Sequence, residues 1–326
     1  MKHYSVLILL YFLLQNTNAL YAQQGLMTGL PTLLPAAQHT SMMGLKPNLL
    51  SVYLGSRVQW ISIPQAPFSI NFHASMPLDY YKVAFGIGVE RSVTGLLTTS
   101  SISGLGCKFF TISNYQFRVG FGAKAQQVGL NGTAIRTPDG QYSGAFTHND
   151  NTLPITQISK FGIDAEASLG FVSKRGFVSI STKNILSTNY NFIGIGGEST
   201  FKNSRMLSLV SAYRWACNSS LTVEPNVSLS TNFVATQSLI GATFYFLNNI
   251  YAGVAFRGYD NVSNSGVAAN FGLTFDNNLR IAYQIESAAV GLRTRLGFSH
   301  EVGLVYDIQS VVRLRQPKII YNHRYL

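Results

Sequence analysis

Charge is scarce in this chain. Asp, Glu, Lys and Arg together supply 11% of its 326 residues, against about 25% in ordinary soluble proteins. A surface built from so little charge does not meet water on every side. Acids are scarcer than bases, 13 against 24, and the net charge is +11. The bases are spread along the chain with no recognition helix among them, which excludes nucleic acid as the partner. Cysteine is nearly absent. Cys107 and Cys217 fall at apolar positions of strands that are not neighbours, and two lipid-facing thiols on separate staves do not reach bridging geometry, so both are read as free. The six histidines show no HxH or HExxH spacing and join no Cys/His cluster, so no metal site is expected. Neither a Gly-Lys-Ser/Thr phosphate loop nor a GxSxG elbow is present. No catalytic residue and no cofactor is therefore expected. Beyond the N-terminus there is also no run of about 20 apolar residues, which excludes a membrane-spanning helix.

What the chain does have is alternation. In "NYQFRVGFGAKAQQVGL" (114–130) Tyr115, Phe117, Val119, Phe121 and Ala123 share one side, and Gln116, Arg118, Gly120, Gly122 and Lys124 the other. Successive side chains of a strand point to opposite faces, so this is one long strand between an apolar and a polar medium. The pattern recurs over 48–61, 66–78, 81–92, 98–111, 114–130, 157–172 and 175–184. It continues over 204–217, 219–232, 235–247, 249–258, 265–275, 277–287 and 297–309. Short connections such as "SKRG" and "LNN" alternate with longer ones such as "RSVTGLL" and residues 131–156 and 185–203. A membrane protein without membrane helices must close its backbone hydrogen bonds in a barrel. The expected fold is all-β: a closed transmembrane antiparallel β-barrel of about 14 strands in the outer membrane, lipid on the Phe face and a lumen on the Arg118/Lys124 face.

The organisation follows. Lys2, His3 and the apolar "YSVLILLYFLL" open a Sec-type signal peptide, residues 1–22. Residues 23–47 form an N-terminal segment able to plug the lumen or leave it open, 48–309 the barrel, and 310–326 a basic tail, with both termini in the periplasm. Inward positions hold Arg57, Gln59, Arg118, Lys124, Asp164 and Glu166. Arg57 either ties down an external loop or forms a lumen ion pair, and Asp164 and Glu166 are read as lumen charges balancing cations. Trp60 falls in the outer aromatic belt. In the two longest loops Tyr142, Phe146, Tyr190 and Phe192 are aromatic anchors suited to a protein surface. The basic tail (Arg313, Arg315, Lys318, Arg324, no acid) suits an anionic surface or a periplasmic protein.

Several motifs resemble the PorP/SprF family of type IX secretion outer-membrane proteins. They are the Arg57-x-Gln59-Trp60 strand, Ala66-Pro67, the strand end from His73 to Pro77 and Leu78, and the closing "SHEVGLVYDI". The opening "LPAAQH", with Leu34 in place of Asn, marks a divergent member. The resemblance implies a non-enzymatic barrel of the secretion and gliding machinery. Such a barrel binds and helps secrete or anchor a large surface adhesin, or couples the translocon to periplasmic components. A porin or small-solute transporter is the alternative, distinguished by an unblocked lumen.

Overall fold

The structure, a computed structural model, describes residues 27–143, 147–194, 196–247, 249–259, 266–275, 278–287 and 297–309. The expected signal peptide and basic tail lie outside them. Strands β1 (Leu49–Val58), β2 (Phe68–Leu78), β3 (Val83–Thr94), β4 (Leu97–Ile112), β5 (Tyr115–Asn131), β6 (Gln157–Val172) and β7 (Gly176–Lys183) come first. A hairpin, β8 (Asn189–Ile193) and β9 (Glu198–Lys202), interrupts them. There follow β10 (Met206–Tyr213), the two-residue β11 (Trp215–Ala216), β12 (Leu221–Thr231) and β13 (Thr236–Phe246). The chain continues through β14 (Ile250–Tyr259), β15 (Gly266–Phe275), β16 (Leu279–Ser287) and β17 (Phe298–Gln309). Neighbours pair antiparallel, β1 pairs with β17, and β10 pairs with both β7 and β12. Leaving aside β8, β9 and β11, fourteen strands close one barrel. Each expected strand is present within a few residues of its expected ends.

The faces follow the alternation. Phe121, Phe161, Ile163 and Leu169 are exposed on the outside, whereas Arg118, Asp164 and Ser168 are buried inside. Three details differ from the sequence reading. The connection after β3 is a tight turn at Gly95 and Leu96, not a longer loop, because pairing runs on to Thr94↔Leu97. Gly95 has φ +59 there, a left-handed conformation that glycine adopts without strain. Second, Cys107 does not face lipid. It is buried among Ala36, Met43 and Ala84, with its thiol 3.5 Å from the Ser41 carbonyl. Cys217 is exposed, and both are free thiols. Third, residues 189–202 form a hairpin rather than irregular chain.

The wall is uneven. β5 and β6 pair over sixteen positions, Gln116↔Val172 to Asn131↔Gln157, but β6 and β7 over only six, Ala167↔Thr182 to Val172↔Phe177. Residues 184–188 cover the upper part of β6, through Ile185 N–H to Ala165 O (3.1 Å) and the Thr188 hydroxyl to Ile163 O (2.7 Å).

Residues 27–48 run through the lumen. Two 3₁₀ turns, Pro35–Ala37 and Thr40–Met42, make the segment compact. Pro35 sits at the start of its turn, where a missing N–H costs nothing. Leu30 and Leu33 pack on Tyr53, Tyr251, Ala282 and Val305. Burying each such Leu side chain is worth about 1.5–3 kcal/mol. Close approach needs small neighbours: a Cβ on Gly120 would fall 2.5 Å from the Ser41 nitrogen.

Candidate functional site: the lumen and its two mouths

The mouth ringed by the longer connections holds a buried ion cluster. Arg57, at the end of β1, donates to Glu286 (2.9 Å) and Glu301 (3.0 Å), and Arg257 donates to Glu286 (2.9 Å). Two cations thus face two carboxylates out of water, an arrangement that persists only when both signs are paired. Glu301 also accepts the Gly29 N–H (2.6 Å) and the Thr28 hydroxyl, so the cluster grips the luminal segment. Of the two readings left open for Arg57, the ion pair is the one seen. Gln59 is buried, with its N–H on Pro67 O (2.8 Å). Trp60 lies just beyond β1, its N–H 3.2 Å from the Ser299 hydroxyl, at φ 55.

Lower in the lumen, Arg118 is buried and donates to the Ser41 carbonyl (2.7 Å), to Gln116 (2.6 Å) and to the Met43 carbonyl. Its guanidinium also lies 4.6 Å from the Phe109 ring centroid. Glu166 accepts from the Thr40 hydroxyl, and the Ser168 hydroxyl accepts from Ser41 N–H (2.7 Å). Lys124 stands opposite Asp164 in the β5–β6 register but donates to Asn184 Oδ1 (2.8 Å). Asp164 accepts from the Leu186 N–H (3.0 Å) and from Asn203 Nδ2 (3.4 Å), so it tethers both arms of the β7–β10 connection. The six inward residues named from the sequence therefore divide between the luminal segment (Arg118, Glu166), the connections (Gln59, Lys124, Asp164) and acids of other strands (Arg57).

Two long connections cap this mouth. Tyr190 and Phe192 pack on Val128, an inward residue of β5, with Leu130, Ile158 and Phe201 around them. Both are buried, so the expectation that they are presented to a partner is corrected: the alternation of β8 turns its aromatic side to the wall, and Ile193 (62% exposed) faces out instead. Burial, reinforced by Asp164, pushes the Tyr190 hydroxyl above its ordinary pKa. In the β5–β6 connection Tyr142 is half-buried. Its hydroxyl accepts the Thr137 N–H (2.7 Å), its ring lies against His148, and Arg136 stacks 4.5 Å from its centroid. Phe146 lies outside the described residues. The Thr152 hydroxyl (2.6 Å) and N–H (2.8 Å) hold the Asp150 carboxyl below its usual range. The two connections meet where Gly196 N–H donates to Asn151 O (3.0 Å).

Around the segment lie three cavities. One of about 370 Å³ opens toward the capped mouth, lined by His73, Glu90, Lys124, Gln126, Glu166 and Lys183 among others. Two more, about 390 and 320 Å³, lie toward the short-turn end and share Lys46, Arg214 and Arg280. Sequence reasoning missed Glu301 and Arg280, which hold the segment to the strands, and Glu286, which joins Arg57 to Arg257. Their only signal was an inward charge in an alternating strand. Among the described residues no group of acids, histidines and cysteines suits a metal ion.

A family model described as "Type IX secretion system membrane protein PorP/SprF" matches residues 40–306. Among solved structures, the chain is similar to the toluene transporter TbuX of Ralstonia pickettii. The identity is 10%, with 85% of this chain and 94% of that one covered and a TM-score of 0.55. It is also similar to a TodX mutant described as a monoaromatic hydrocarbon channel, at 12% identity, with 84% and 94% covered and a TM-score of 0.50. At such identities the likeness is one of fold. No curated protein matches.

Proposed function

Because this chain belongs to the PorP/SprF family of type IX secretion system membrane proteins and folds as an outer-membrane barrel, we propose that it holds a large secreted surface protein, an adhesin, at its capped mouth. In this reading the long connections face outward, both termini are periplasmic, and the barrel works beside other secretion components without catalysing a reaction. One observation carries the reading. The β5–β6 connection and the β8–β9 hairpin pack on each other and on the tall wall of β5 and β6. Loops held on a rigid scaffold are where binding resides, and a cap already ordered loses little entropy on meeting a protein. Tyr142, Phe146 and Ile193 are its apolar contacts, and Trp60 anchors the rim beneath. Deleting residues 133–152 leaves the ladder intact from Asn131↔Gln157 downward. The deletion should leave the barrel inserted and abolish retention or secretion of the surface protein. A changed solute permeability with unchanged secreted and surface proteomes would overturn the reading.

The three luminal cavities favour a second reading, a small-solute channel. Bilayer conductance separates the two. The secretion reading expects low conductance with the luminal segment in place and a marked rise when residues 27–42 are removed. The channel reading expects solute flux from the intact chain.

A further inference from the structure

At the short-turn mouth the charges do not balance. Lys46, Lys174, Arg175, Arg214 and Arg280 line one cavity of about 320 Å³ there. The acids among them are few and already occupied. Glu224 is bound by Arg214 (2.6 Å), and Asp307 by Lys46 (2.6 Å) and more loosely by Arg280 (3.5 Å). Both carboxylates are buried, whereas Lys174 and Arg175, in the β6–β7 turn, are exposed and make no ion pair among the described residues. Against five cations and two acids, the surplus of three is positive. An independent feature points into the same cavity. Ser75 is 2% exposed, lines it, and has a hydroxyl with no hydrogen-bond partner. β17 ends at Gln309, paired with Leu49 at this rim, and the residues that follow carry Arg313, Arg315, Lys318 and Arg324 with no acid.

We infer that this mouth is a docking site for an acidic, extended segment of a protein partner. A flat anionic lipid surface suits it less. The cationic side chains line a concavity reaching into the lumen, where headgroups of the surrounding bilayer do not enter but a narrow chain of carboxylates does. The exposed guanidinium and ammonium groups of Arg175 and Lys174 steer it in. Arg214, itself exposed, and the more buried Arg280 then offer planar donors to its carboxylates, and the Ser75 hydroxyl donates one more hydrogen bond. This deepens the reading above by naming the chemistry of a second partner, and rests on it only for the side of the membrane the mouth faces.

The test is direct binding of a fluorescein-labelled decaglutamate peptide to the full chain in nanodiscs, read by anisotropy. The wild type binds in low salt and loses affinity steeply between roughly 0.05 and 0.5 M salt. Lys174→Glu with Arg175→Glu weakens binding at least about tenfold, and Lys174→Gln with Arg175→Gln by less. The control pair Arg91→Glu with Lys202→Glu, toward the other mouth, leaves it unchanged. Heat-modified gel mobility confirms that each variant barrel is folded. Equal weakening by the control pair, or no binding by folded wild type, overturns the inference. So does displacement of the peptide by phosphatidylglycerol micelles that themselves bind through Lys174 and Arg175. The peptide assay reads this mouth alone, so its failure leaves the surface-protein reading standing, and the reverse.

Discussion

The two mouths of the barrel are built in opposite ways. At the capped mouth, Arg57 and Arg257 are matched by Glu286 and Glu301, all buried, and two connections fold over the opening with Tyr190 and Phe192 packed on the wall. At the short-turn mouth the connections are brief, the cavity is open, and cations exceed acids. Neutral pairing and apolar packing suit a cap that recognises by shape, while a surplus of one sign suits a mouth that selects by charge. The luminal segment joins the two, gripped by Glu301 at one end and by Asp307, through Lys46, at the other.

The largest effect expected is at the balanced cluster. Arg57→Ala removes the cation paired with buried Glu301 and one of the two paired with buried Glu286, and should cost about 3–5 kcal/mol. Lys46→Ala, at the open mouth, should cost about 1 kcal/mol or less, because Lys46 is 41% exposed and Asp307 keeps Arg280 and Ser51. Urea unfolding in lipid vesicles measures both, and similar losses would erase the distinction between the mouths. Next comes the wall that separates them. Phe121→Arg, on the outer face of β5, should cost about 2–4 kcal/mol if the residue lies at the bilayer midplane. Gln126→Arg, on the inner face of the same strand and lining the cavity toward the capped mouth, should cost much less. Equal costs would reverse the assignment of faces. A smaller and local effect is expected at the tether of the cap. Asp164→Ala removes the acceptor of the Leu186 N–H and should loosen residues 185–203 by about 1–3 kcal/mol. Limited proteolysis should then nick that connection while the barrel keeps its gel mobility. Resistance equal to wild type would show that the packing of Tyr190 and Phe192 alone holds the cap.

The fourteen barrel strands were legible because period-two alternation is local: each strand carries its own record of lipid on one side and lumen on the other. The hairpin was half legible. Tyr190 and Phe192 do alternate with Asn189 and Asn191, but the alternation shows two faces without showing which is covered, and Val128 lies about sixty residues away in sequence. For the luminal segment, its presence was readable and its path was not. Gly29, Ser41 and Met43 are held by Glu301, Ser168 and Arg118, residues far off in the chain, through hydrogen bonds to backbone groups that every residue possesses. Cys107 was misplaced because a small apolar residue fits the lumen as well as lipid once Met43 and Ala36 come to lie against it.

The central claim is that the capped mouth holds a secreted surface protein. Affinity purification from native membranes tests it most directly, comparing the intact chain with the variant lacking residues 133–152 and identifying what comes with each. The account predicts that a large surface protein accompanies the intact barrel and is lost from the deletion variant, while other secretion components remain with both. Recovery of the same proteins with both forms, or of the intact barrel without any surface protein, would contradict it.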